Sequence, residues 1–255
     1  MTRRALWAAA AASLLLAACG GSNGHSVPPP QGPPTLRHPA GDIDAAQAAE
    51  DMRAQLVAAS SLYGVGQLAD SQAHMDLAKA GYTRLTDLVR PHDADLDREI
   101  SAAFGVIAGQ IAQKQAAPVV ENRMGLIQGQ LLNAAISDAV SVSARNDPTV
   151  AAQVLVNLST AGLRSYTSAA RQLATPQGRR EFQNAFGLLT RALAVGRGIG
   201  LSLGPERVPA LNALGAAHND GFPLGVVVPK SLQVAKVTAD VARVKAAVAK
   251  RFRVG

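Results

Sequence analysis

Cysteine is almost missing from this 255-residue chain, in which Cys19 stands alone. No disulfide can form within the monomer, and no cysteine nucleophile is available further along. Aromatic rings are scarce too. Trp7 is the single tryptophan, and the other eight rings are Tyr63, Tyr82, Phe104, Tyr166, Phe182, Phe186, Phe222 and Phe252. A stacking platform for sugars, or an aromatic cage for a quaternary amine, is therefore poorly supplied. Only four glutamates follow Glu50, and neither Glu-x-x-His nor His-Glu-x-x-His occurs. Those are the patterns through which helical proteins most often hold a catalytic metal.

What is present begins at the N-terminus, "MTRRALWAAAAASLLLAACGGSNG". Arg3 and Arg4 precede an uncharged apolar run, Ala5 to Leu16, and small residues lead into Cys19. This is the layout of a secretory signal peptide, and the run is shorter than the ~20 residues of a spanning helix. Leu16-Ala17-Ala18-Cys19 resembles the lipobox of bacterial lipoproteins. The resemblance implies cleavage before Cys19, diacylglycerol on its thiol and an acyl chain on the new amino group. Three chains would hold far better than one myristoyl chain does. Gly20, not Asp, follows the cysteine. Where Asp serves as the inner-membrane retention signal, its absence implies transfer to the outer membrane, facing the periplasm. A secreted protein with a chance cysteine in its leader is the alternative.

Three segments follow. Residues 1–18 are the signal peptide. Residues 19–41 combine the lipidated cysteine with a Gly- and Pro-rich tether, and residues 42–255 form the folded domain. Once the leader is removed, 23 basic and 18 acidic residues leave a net charge of +5. The charge is unevenly spread: residues 20–99 carry 6 basic and 11 acidic side chains, residues 100–255 carry 17 and 7. A basic C-terminal part suits an anionic partner, which in an envelope means lipid head groups or a wall polymer, with nucleic acid unlikely for an exported protein.

Apolar periodicity predicts an all-α antiparallel bundle of six or seven helices. The expected helices start near Asp44, Gln67, the acidic cap "DADLDREI", Val119, the Asp147-Pro148 cap and Pro176. An irregular stretch over 196–229 follows, with a short strand at 225–228, and a last helix runs from about Ser231 to Phe252. The helix over 119–142 is apolar nearly all round and is expected to be central, with Gly125 and Gly129 admitting a close neighbour. Leu77-Ala78-Lys79-Ala80-Gly81 and Leu158-Ser159-Thr160-Ala161-Gly162 share the spacing L-x-x-A-G, a faint echo of duplicated hairpins.

Five patterns bear on chemistry. Gly200-Leu201-Ser202-Leu203-Gly204 fits the G-x-S-x-G nucleophile pattern, but Ser202 would need a strand before the turn and an acid-then-histidine order downstream. Here His218 precedes Asp220, and the match is read as a chance one in a loop. Asp70 and His74 stand at i, i+4, a spacing that offers two metal ligands or an ordinary pair at a helix boundary. Asp138 falls in line with an apolar face and would need Arg164 or Arg171 as an ionic partner. The final helix carries Lys236, Arg243, Lys250 and Arg253 mostly opposite its apolar stripe, which suits contact with an anionic surface or a plain solvated face. Asp93, Asp95 and Asp97 have calcium-loop spacing, yet Arg98 and Phe104 occupy the positions that need Gly and Glu.

The stretch "AHMDLAKAGYTRLTDLVRPHDADLDREISAAFGVIAGQI" resembles helical hairpins in periplasmic components of bacterial iron uptake. That resemblance implies metal handling, although no Gly-x-His-x-x-Glu or Glu-x-x-Glu accompanies it. The chain thus reads first as a membrane-anchored, non-enzymatic binding or assembly module of the envelope, without a cofactor. The alternative is a periplasmic helical protein that binds a metal or a small ligand.

Overall fold

The structure, a computed structural model, describes residues 40–254. The signal peptide, Cys19 and nearly all of the tether lie outside the described residues. The chain forms α1 (Ala40–Gly64), α2 (Leu68–Val89), α3 (Ala94–Ala112) and α4 (Ala117–Leu126). A π-helical turn (Ile127–Leu131) leads into α5 (Leu132–Ala139), followed by the short α6 (Val142–Asn146). Then come α7 (Pro148–Arg171), α8 (Pro176–Gly198), a 3-10 turn (Gly204–Glu206), α9 (Arg207–Gly221) and α10 (Val234–Arg251). The fold is all-α, and among the described residues no helix is long and apolar enough to cross a membrane.

Several helices begin where side chains can satisfy their free N–H groups. The Asp93 carboxylate accepts from Leu96 N at 2.8 Å, and Asp147 accepts from Thr149 N at 2.7 Å. Thr175 caps α8 by accepting from Gly178 N at 3.0 Å, and Pro148 and Pro176 occupy first turns that have no N–H to lose. Asp93 and its neighbours are thus engaged in capping and pairing: Asp95 meets Arg98, while Asp97 meets Arg90 at 2.8 Å and Tyr82 Oη at 3.0 Å.

Five expectations change. The stretch read as irregular holds α9, whose inward positions are Ala210, Ala213, Leu214 and Ala217. Alanine buries well but contrasts little with its neighbours, so the helical period is faint there, and Pro209 sits in a first turn that tolerates it. No strand forms over 225–228. The helix at the centre is α1, which packs against α2, α4, α5, α7 and α8. Its buried Ala45, Ala48, Ala49, Ala54, Ala58 and Ala59 let neighbours approach on every side. Gly125 and Gly129 face open space instead of a close neighbour, and the helix around them widens into the π turn. Asp138 is half-buried on α5, which packs mainly against α1, α2 and α3, and among the described residues no ion pair joins it to Arg164 or Arg171.

The crossing of α1 over α8 organises the body. A Cβ added to Gly187 would lie 2.2 Å from the Ala54 carbonyl oxygen, so the two backbones are nearly in contact. One turn to either side, Glu50 pairs with Arg191 at 2.8 Å and Gln55 donates to Asn184 at 2.7 Å. The order of these contacts makes the two helices antiparallel.

Glu50 is only 8% exposed and Arg53 only 7%. Arg191 holds one Glu50 oxygen and Arg53 the other, so the buried carboxylate is fully paired. Arg53 also donates to the Gln128 carbonyl at 3.1 Å and to Asn133 Oδ1 at 2.5 Å. A π turn shifts hydrogen bonds by one residue, and Arg53 answers a carbonyl that this shift exposes.

Two substitutions test these points by urea denaturation. Gly187→Ala forces α1 and α8 apart and should cost about 2–3 kcal/mol, with a lower midpoint and an unchanged slope. Lys114 ends α3 at φ 53, a left-handed conformation in which glycine carries no Cβ penalty. Lys114→Gly should therefore raise stability by roughly 0.5 kcal/mol.

Candidate functional site

His74 lies fully buried between α1, α2 and α8. Its Nδ1 is 2.7 Å from Gln55 Oε1, and its Nε2 is 3.3 Å from Gln183 Oε1. Gln55 Nε2 donates to Asn184 Oδ1, and Asn184 Nδ2 donates to Ser165 Oγ at 2.9 Å. Gln183 Nε2 donates to Asp70 Oδ2 at 2.9 Å. Asp70 and His74 therefore share a chain of hydrogen bonds through Gln183 and do not converge as two ligands. Among the described residues no three His, Cys, Asp or Glu side chains gather as a metal group.

Burial lowers the His74 pKa, with Arg180 adding to the effect and Gln183 and Asp70 opposing it. A neutral ring donates from one nitrogen and accepts at the other. Rotating the Gln55 and Asn184 amides together meets this need. Gln55 then donates to Nδ1, Asn184 donates to Gln55, and the Ser165 hydroxyl closes the chain as donor. The sequence singled out His74 and Asp70, but not Gln55, Gln183 and Asn184, because amides at scattered positions on α1 and α8 carry no local pattern.

Two of the grooves at helix seams bear on these residues. One of about 430 Å³ lies over α1, α2, α7 and α8, lined by Met52, Gln55, Leu77, Gly81, Asn184 and Leu188. At its edge Asp51 accepts from Gln47 at 2.8 Å and meets Arg84 at 3.5 Å, and burial raises the Asp51 pKa. The groove thus reaches the outer end of the His74 relay, but its polar groups already satisfy one another. The echoed Gly81 and Gly162 sit at helix contacts, against Met52 and Leu189 respectively.

The other groove, about 570 Å³, runs between α7 and α10. Asn157, Thr160, Arg164 and Lys245 line it beside Ala161, Ala246, Ala249 and Val254. Among the described residues no carboxylate stands within ion-pair distance of Arg164 or Lys245. Two free cations, an amide and a hydroxyl over an apolar floor form a cradle for an anionic group. This groove was missed because Arg164 and Lys245 lie far apart in the chain and meet only when α10 docks on α7.

The four cations expected to face an anionic surface are divided by the structure. Arg243 is neutralised by the buried Asp240, and Lys250 reaches Glu206 at 3.3 Å. Lys236 and Arg253 are exposed without a carboxylate partner among the described residues. As a continuous cationic face the four do not act together, because Asp240 and Glu206 answer the middle of the row.

Ser202 sits in the turn that joins α8 to the 3-10 segment, between the buried Ile199 and Leu203. A helix enters this turn, so the strand-to-helix elbow that exposes a nucleophile is not built here. His218 stands 11 residues into α9 from Arg207, about 16 Å along the helix, and contacts Thr190 Oγ1 at 3.1 Å. It is part of a helix and not of a loop with Asp220. His218 packs among Phe186 and Phe222, with Phe182 and Tyr166 completing an interior aromatic cluster.

Burial lowers the pKa of His218 as it does that of His74. Both rings stay neutral in the folded chain at pH values where the unfolded chain, with histidines near 6.5, takes up protons. Stability should therefore fall as pH drops below about 6.5 and level off at the depressed folded values. Urea midpoints between pH 7.5 and 5 read this loss. His74→Gln should make the slope shallower and leave the part due to His218.

Comparison with family models, with curated proteins and with solved structures yields no match for this chain.

Proposed function

We propose that the protein is a bacterial lipoprotein, held in the envelope through acylated Cys19, whose helical body is a non-enzymatic binding module for an anionic envelope ligand. The single observation that carries the binding role is the α7–α10 groove, with Arg164 and Lys245 free of carboxylates among the described residues. Charge balance supports it, since the residues from 100 onward hold 17 basic and 7 acidic side chains. The groove floor is alanine and valine, so a ligand with an anionic group on an apolar or uncharged stem fits its chemistry. Peptide carboxylates of wall fragments meet that description. The anchor reading is carried by the leader alone, and outer-membrane placement by Gly20 following Cys19.

Native mass spectrometry of the protein purified from its own envelope tests both parts. A mass increment of three acyl chains on Cys19 is expected, and an unmodified thiol would remove the anchor from the proposal. Soluble peptidoglycan fragments should add one ligand per chain. Arg164→Gln with Lys245→Gln should weaken that adduct about 150-fold, as the loss of two charge-assisted contacts of about 1.5 kcal/mol each requires. Equal binding by the variant would sink the assignment to this groove.

A further inference from the structure

The turn between α8 and α9 exposes Leu201 more than any other large apolar residue among the described residues, at 86%. Its neighbours Ile199 and Leu203 are buried and pin the turn to the core, so Leu201 is held out by packing on both sides. Arginines flank it. A Cβ on Gly200 would lie 3.2 Å from Arg207 Nε, and Arg251 Nε donates to the Ser202 carbonyl at 3.0 Å. Val208, 63% exposed, follows Arg207. Arg197 at the end of α8 and Arg253 after α10 add two more exposed cations, while Glu206 is taken up by Lys250.

The same end of the body receives the chain from the N-terminus. Because α1 and α8 are antiparallel, the first residues of α1 and the last of α8 point the same way. Ala46 of α1 packs into the cluster that contains Ile199, Leu203 and Phe252. The first turn of α1 therefore lies at the end that carries Leu201, Arg207 and Arg251.

We infer that the α8–α9 turn, with Leu201 between Arg207 and Arg251, is a docking surface for an anionic phospholipid bilayer. Leu201 and Val208 enter the boundary between head groups and acyl chains, and the arginines pair with lipid phosphates. An apolar tip inside a ring of guanidinium groups matches the layered polarity of a bilayer surface, and a protein partner would have to reproduce that layering. Docking would bring this end of the body onto the bilayer beside the acylated Cys19. This orientation rests on the lipoprotein reading, but the affinity of the turn for acidic lipid does not.

The test uses the mature protein reconstituted in vesicles of phosphatidylcholine with or without phosphatidylglycerol. Leu201→Cys labelled with an environment-sensitive fluorophore reports on the turn. Leu224→Cys, 62% exposed just beyond the far end of α9, is the control. The 201 probe should brighten and shift to the blue only with phosphatidylglycerol, and the 224 probe should not respond. Arg207→Gln with Arg251→Gln should shift the docked fraction about 30-fold toward undocked, from the loss of two cations at the surface. Raising the salt should mimic that variant. Equal responses at 201 and 224, or none at 201, would overturn the proposal. The mass of Cys19 is read separately: an unmodified cysteine refutes the anchor, and the two probes, placed then in a Cys19→Ser chain so that only the introduced thiol is labelled, decide the docking surface.

Discussion

The near contact of Gly187 with the Ala54 carbonyl is the constraint on which the arrangement depends. Two helices can approach this closely only where one lacks a side chain. Their polar residues are then brought within reach on both sides of the crossing: Glu50 with Arg191 toward one end, Gln55 with Asn184 toward the other. Were α8 displaced by the width of a methyl group, the buried Glu50 would lose a cation and His74 its amide relay. Burying a charge is tolerable only when such partners are in place, so close packing and buried polar pairing require each other here.

From that crossing the body divides into regions with different chemistry. The seam under α2 is closed by amides and a neutral imidazole that satisfy one another. Among the described residues, the α7–α10 seam leaves Arg164 and Lys245 without a carboxylate, and the α8–α9 turn exposes Leu201 beside Arg207 and Arg251, the latter bonded to the Ser202 carbonyl. Both lie on the basic part of the chain, where Asp240 and Glu206 neutralise cations locally while leaving those at the groove and the turn free.

Much of the fold could be read in the chain because its signals are local. Asp93, Asp147 and Pro176 mark helix starts through contacts within one turn, and the α10 stripe Val237, Val241, Val244, Val248 and Phe252 is buried as its spacing predicts. Alanine defeated the same reading twice, hiding α9 in a supposed loop and concealing that α1 is central. His74 was legible as a residue at a helix boundary, but its amide partners were not, since Gln183 lies 109 residues away.

The sequence by itself determined an all-α body, its principal caps, its basic C-terminal part and the single cysteine at position 19. Each of these follows from composition or from residues within a few positions of one another. Tertiary structure decided which cations are paired and which are free. It turned a G-x-S-x-G match into a helix-to-helix turn with an exposed leucine, and brought α1 and α8 into backbone contact. These outcomes depend on distances between residues separated by tens to more than a hundred positions, which the packing of helices sets and no local pattern encodes.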